Sequence, residues 1–127
     1  MMGPNAVAVR RIYDEPLPTD GTRVLVDRLW PRGISKERAQ LFAWDRTIAP
    51  STELREWYAH IPERFDEFAS RYRTELQQPE RVAQFHELQR LAQSGPLTLL
   101  TAAKRFDISE ATVIAQLLNG AAADTHK

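Results

Sequence analysis

The feature that most constrains this chain is a short apolar run, Val24, Leu25 and Val26, that ends abruptly in Asp27, Arg28, Leu29, Trp30, Pro31, Arg32 and Gly33. A β-branched run of this length has the composition of a buried strand. In open α/β sheets, ligands bind just outside the carboxyl ends of the strands. A carboxylate, two guanidiniums, an indole, a proline and a glycine directly after such a strand therefore point to a site, provided the strand is central.

The other elements are read from periodicity and punctuation. Residues 6–12 alternate Val7 and Val9 with Ala8 and Arg10, a first strand. Residues 13–22 form a loop with Pro16, Pro18 and the turn dipeptide Asp20-Gly21. It is too short for a helical crossover, so the first two strands either pair antiparallel or meet through a degenerate crossover. Ser35 is placed to cap a short helix over residues 36–40, and residues 41–48 make an edge strand or a packed loop. Ser51 is the expected N-cap of a helix with Leu54, Trp57, Tyr58 and Ile61 at helical spacing. Pro62 opens a second helix with Phe65, Phe68, Ala69, Tyr72 and Leu76 on one face, and Pro79 a third with Val82, Phe85, Leu88 and Leu91. Trp57, Phe65, Phe68, Tyr72 and Phe85 are expected to be mostly buried.

Residues 96–101 read as a second short buried strand, expected to lie parallel and adjacent to residues 24–26. Asp107 and Glu110 have capping-box spacing ahead of a last helix carrying Val113, Ile114, Leu117 and Leu118. Gly120 is expected to end it, leaving residues 121–127 as a flexible tail. The pattern predicts one α/β domain over residues 1–127, with a small, largely parallel sheet flanked by helices.

Composition narrows the chemistry. The 127 residues suffice for one domain with a real core and not for two. Basic and acidic residues both number 17, so net charge supplies no bulk attraction to nucleic acid or anionic lipid. The chain has no cysteine, which excludes disulfides, thiolate metal sites and a cysteine nucleophile. His60, His86 and His126 are widely spaced, so no metal site and no cofactor is predicted. No stretch approaches a membrane span, and a cytoplasmic protein without a membrane partner is the expectation.

The candidate site is accordingly Arg28, Trp30, Arg32, Thr101 and Lys104, with Asp27 as the catalytic candidate. Arg28 and Arg32 offer guanidinium forks for a phosphate or carboxylate, a geometry lysine does not copy. Against this, Arg28 pairs internally with Asp27 or another acid and merely locks the loop. Asp27 serves as a general base or a metal ligand, or it orients a neighbouring arginine or caps a helix. Asp14, Asp20 and Asp45 are further carboxylates that would have to converge on Asp27 for acid–base chemistry. Trp30 sits among polar groups and is the one tryptophan read as a stacking surface, whereas Trp44 and Trp57 read as core. Thr101 and Lys104 follow the second strand at the same sheet end. Arg55, one turn into the helix after Pro50-Ser51, either reaches the anion site or, as preferred, lies on a solvated face, and the histidines 60 and 86 read as surface or capping groups. The preferred partner is a small anionic ligand.

A rival reading concerns residues 102–118, where Ile108 in a turn and Ser109-x-x-Thr112-Val113 beyond it imitate a helix-turn-helix of a DNA-binding transcriptional regulator. The supposed recognition helix carries no lysine or arginine, and Glu110 would face phosphates, so nucleic acid ranks second as a partner.

The motifs Arg11-Ile12-Tyr13-Asp14, Asp20-Gly21-x-Arg23 through Gly33, Ala49-Pro50-Ser51-x-x-Leu54-Arg55-x-Trp57 and Thr98-Leu99-Leu100-x-Ala102-Ala103-Lys104 together resemble the YeaO-like branch of the DUF488 family of uncharacterised proteins. The resemblance runs from the first strand to the last helix. It implies an α/β fold with one polar signature after an early strand, here Asp27 and Arg28, and a second after a late strand, here Thr101 and Lys104. Related sequences often place Asp, Asn or His after the lysine, where this chain has Arg105-Phe106-Asp107.

Overall fold

The computed structural model describes residues 6–124, with side chains through residue 120. Within them lie four strands, β1 (Val7–Arg11), β2 (Thr22–Leu25), β3 (Ala43–Trp44) and β4 (Leu97–Thr101). Five α-helices accompany them: α1 (Lys36–Ala39), α2 (Thr52–Tyr58), α3 (Phe65–Glu75), α4 (Pro79–Ser94) and α5 (Glu110–Asp124). The strands form one sheet in the order β1-β4-β2-β3, and every pairing is parallel. The fold is therefore α/β with a small parallel sheet, as the patterning predicts.

The sheet order follows from which runs are apolar on both faces. All five residues of β4 are buried, and so are Val24, Leu25 and Val26. These two segments take the centre, as strands of a parallel sheet covered on both faces must. They are adjacent and parallel, with Val24 opposite Leu99 and Leu25 opposite Leu100. The Val26 amide extends the ladder by donating to Leu100 O at 3.1 Å. β1, with its half-buried arginines, takes one edge. The other edge is β3, only two residues long, so the 41–48 segment is mostly packed loop with a minimal edge strand.

Alternation assigns the side chains to two layers. Val7, Val24, Val26, Leu97 and Leu99 pack with the inward faces of α2 to α5, among them Leu54, Phe68, Tyr72, Leu88 and Ile114. Leu25, Leu100 and Ile12 face the opposite layer, closed by Ile34 and Ala39 and flanked by Trp30, Leu41 and Trp44. That second cover is thin. It consists of α1 and the loop following β2 folded back over the sheet.

β1 and β2 do not pair at all. The loop between them returns the chain along the sheet without a helix, and β4 fills the gap, so the degenerate crossover holds and the antiparallel hairpin does not. Gly21 makes the return possible. Its φ is +64°, and a Cβ there would lie 2.3 Å from Pro96 O, closer than any side chain tolerates.

The helix starts behave largely as their caps predict. Ser35 Oγ accepts from the Arg38 amide at 3.0 Å, and Ser51 Oγ from the Leu54 amide at 3.1 Å. Along the α2–α3 face, Tyr58 stacks on Phe68 at 4.3 Å between centroids, and Phe68 lies 5.8 Å from Tyr72. Both phenols end on backbone carbonyls, Tyr58 on Ile108 O at 2.6 Å and Tyr72 on Ile48 O at 2.5 Å. Phe68 and Tyr72 are buried as expected, but Trp57, Phe65 and Phe85 are only partly so. Trp57 lies at the layer's rim, where Arg64 and Arg71 cover its ring at 5.3 and 4.5 Å.

Three local expectations are corrected near the carboxyl end. The Asp107–Glu110 capping box does not form, because Asp107 pairs with Arg105 at 2.9 Å and Glu110 turns its carboxyl inward. Gly120 does not end α5, which runs on to Asp124; residues 125–127 lie outside the described residues. Nor is there a helix-turn-helix. The residues before Ala102 are strand β4, residues 106–108 make one 3-10 turn, and α5 buries Ala111, Val113, Ile114, Ala115 and Leu118 in the core.

Candidate functional site

A cavity of about 380 Å³ opens at the carboxyl ends of β2 and β4. Its position follows from the topology, since the two central strands stop there while the loops after them diverge. The loop after β2 contributes residues 27–32, the turn after β4 Thr101, Ala102 and Ala103, and the loop after β1 Tyr13. Arg55 reaches in from α2, His60 from just beyond it, and Glu110 from the first turn of α5. A second cavity of about 180 Å³, with Tyr58 and Phe68 in its wall, shares Pro50, Arg55, His60 and Glu110 with the first.

The loop bearing the cations is built rigidly. The Trp30 indole N–H donates to Ile34 O at 2.7 Å, and its ring meets Trp44 edge-on at 5.3 Å. Trp44 in turn donates to the backbone oxygen of Asp27 at 2.7 Å, and the Tyr13 hydroxyl donates to Arg32 O at 3.0 Å. Trp30 is thus tied by its polar edge into the loop, and only part of the residue reaches the cavity. Thr101 is buried and its Oγ1 accepts from the Ala103 amide at 3.2 Å, which fixes the turn after β4.

Of the residues singled out from the sequence, Asp27, Arg28, Trp30, Arg32 and Thr101 all line this cavity. Lys104 is exposed and does not, because the turn after β4 presents Ala102 and Ala103 instead. Asp27 does not pair with Arg28. One of its oxygens, Oδ2, accepts from the Ala102 amide at 2.8 Å and bridges the ends of the two strands. Among the described residues, neither Arg28 nor Arg32 forms an ion pair, and both are exposed at the rim.

The other carboxylates do not gather here. Asp45 accepts from the Ile48 amide at 3.3 Å and lines a separate cavity beside β3 and α4. Burial raises its pKa, with the Ile48 amide opposing. Asp14 is exposed. Asp20 lies at the opposite end of the sheet, just before β2, bound to Arg10 and Arg23.

Two cavity residues, His60 and Glu110, escape a reading of the sequence, and a third, Arg55, takes the less favoured of its two readings. Arg55 is half-buried, not solvated, and its Nε is enclosed without a hydrogen-bond partner while Nη2 donates to Thr52 Oγ1 at 3.3 Å. His60 lines both cavities and follows Ala59 in the left-handed backbone region, with φ of 57° and 48°. Two consecutive non-glycine residues in that region are uncommon and mark a locally over-determined backbone. Glu110 carries the only signal the sequence offered for it, the capping spacing, and that signal named a different task.

Glu110 is half-buried and lines the cavity with Asp27, close enough for the two carboxyls to interact. Burial pushes its pKa well above the ordinary carboxylate range, hydrogen bonding and repulsion from Asp27 push it further, and its own amide and Arg55 only partly oppose this. The second Asp27 oxygen, Oδ1, is buried and has no hydrogen-bond partner among the described residues. Among the described residues, no group of three or more His, Asp or Glu is arranged to hold a metal ion. No helix among them is long and apolar enough to cross a membrane.

The profile of a DUF488 family group described as the "inactive DUF488-N3 subclade" matches residues 6–127. The chain belongs to this family. Its relatives include the uncharacterized protein Rv3073c of Mycobacterium tuberculosis, 49% identical over 120 residues that cover 94% of this chain and 99% of the relative. The uncharacterized protein Mb3100c of Mycobacterium bovis matches to the same extent. YeaO of Escherichia coli, also uncharacterized, is 41% identical over 112 residues, or 88% of this chain and 96% of YeaO. The YeaO-like resemblance of the motifs is thereby confirmed. No solved structure matches the chain at a significant level.

Proposed function

We propose that this DUF488-N3 protein binds a small anion carrying a phosphate-like group in the cavity at the ends of β2 and β4. The observation that carries the reading is Arg55, whose enclosed Nε has no partner in the protein while it lines the cavity with Arg28 and Arg32. A buried N–H left unpaired is costly, and an anionic oxygen would satisfy it. The two rim guanidiniums supply charge-assisted donors, and the loop that bears them is already held by Trp30 and Tyr13, so little ordering entropy is lost on binding.

Arg55 takes the place that the sequence suggested for Lys104. The family's description as inactive goes with binding without turnover, so Asp27 acts here as a structural acceptor for Ala102 rather than as a general base. A cytoplasmic setting, where phosphorylated metabolites are plentiful, suits this role. Calorimetric titration with inorganic phosphate tests it. Arg55→Met should weaken binding by about 10- to 100-fold, the worth of a charge-assisted hydrogen bond, with Arg28→Ala and Arg32→Ala each weakening it too. Phosphate binding unaffected by all three changes would refute the assignment.

A further inference from the structure

We propose that Glu110 sets the charge selectivity of this cavity: it shares one proton with Asp27, and loss of that proton turns a wall that accepts an anion into one that repels it. The inference rests on the reading of the cavity as an anion site and asks what permits an anion beside two carboxyls.

A shared proton accounts for the geometry. Asp27 Oδ2 is committed to the Ala102 amide at 2.8 Å, Oδ1 is buried with no hydrogen-bond partner, and Glu110 lines the same cavity wall, where its carboxyl, once protonated, supplies a donor. Two ionised carboxylates in hydrogen-bonding contact repel strongly, and such pairs hold a proton between them. With one proton the pair carries a single negative charge, which Arg55 alongside offsets. The charge then felt in the cavity is that of Arg28 and Arg32, and an anion is attracted. Without the proton, the wall gains a second negative charge.

Other groups face the pair. Tyr58 from α2 and Tyr72 from α3 both feel Glu110, but burial pushes their phenols up and both hydroxyls are committed to backbone carbonyls, so they stay neutral. Glu56 is exposed on the second cavity. His60 lines both cavities and is the one imidazole facing the pair, so its contribution must be separated from theirs. The sign for the pair is definite. A bound anion favours the protonated pair, so affinity is full at low pH and falls as pH rises through the pair's titration, by about tenfold per pH unit.

The test uses the full chain and sulfate, an anion that does not itself titrate in this range. His60→Asn removes the imidazole and suits the left-handed backbone there, so it serves as the background. In that background sulfate affinity should fall with pH, whereas with Glu110→Gln added it should become independent of pH, and Asp27→Asn should act likewise as a second variant. Infrared spectra of the protein without sulfate should show a protonated carboxyl band at neutral pH that Glu110→Gln removes. Absence of that band, or an identical pH profile with and without Glu110→Gln, would overturn the proposal. A band with no sulfate binding at any pH would instead sink the anion reading on which the selectivity role depends.

Discussion

Asp20 offers the sharpest test of how this fold is held. It sits in the return loop and is 3% exposed, yet it accepts from the Leu17 amide at 2.9 Å, from Arg10 Nη1 at 2.9 Å, and from Arg23 Nη1 at 2.5 Å. The Arg23 side chain, 6% exposed, also donates twice to Ala39 O at the end of α1, at 3.2 and 2.9 Å. One carboxylate therefore joins β1, the return loop, β2 and the thin second cover. Asp20→Ala leaves the Arg23 guanidinium buried without its counter-charge. Breaking a buried pair in this way costs about 3–5 kcal/mol, a large share of an ordinary domain's stability. Urea unfolding followed by tryptophan fluorescence would show it as a lower midpoint at unchanged slope. A loss below about 1 kcal/mol would mean that water reaches the cluster and that it holds nothing together. Replacing Asp20 and Arg23 together by Leu and Met should recover most of the loss, because the cost lies in the orphaned charge. The pH dependence has a definite sign. Burial raises the Asp20 pKa, but the Leu17 amide and the guanidiniums of Arg23 and Arg10 lower it more, so the net shift is downward. Its contribution is complete above the ordinary aspartate range and disappears as pH falls through the lowered value, and Asp20→Ala should flatten that part of the acid limb.

Gly21→Ala should destabilise by more than about 1 kcal/mol in the same unfolding assay, since the left-handed φ and the approach of Pro96 O both oppose a Cβ. Phe68→Ala should cost about 3–5 kcal/mol, as this ring fills the space between Tyr58 and Tyr72 at 2% exposure; a thermal melt close to wild type would contradict that packing. Lys104→Ala should leave phosphate affinity unchanged in calorimetry while Arg55→Met weakens it, and the reverse ranking would move the site away from the cavity described.

Local periodicity carries the central strands and the site they share. The runs at residues 24–26 and 97–101 are short and dominated by Val and Leu, and every position in them is buried, Thr98 and Thr101 included, which marks strands covered on both faces and therefore central and parallel. Once two strands are central, the residues after them must share one end of the sheet, and that places Asp27, Arg28, Trp30, Arg32 and Thr101 around one cavity. The family could be read as well, because two of the motifs that carry the resemblance run through those strands into the loops after them. Other features depend on how elements distant in the chain pack together. Glu110 has capping spacing whichever way its side chain turns, and it was the docking of α5 across the sheet that brought its carboxyl against Asp27. Arg55 belongs to a helix, and His60 to the turn just beyond it, whose docking aims them into the cavity, whereas Lys104 lies beyond a turn that aims it out. Asp20 looks like an ordinary turn residue until the return loop lays it beside Arg10 and Arg23. Spacing along the chain reports which face a residue occupies on its own element. Which other element that face meets is decided by packing.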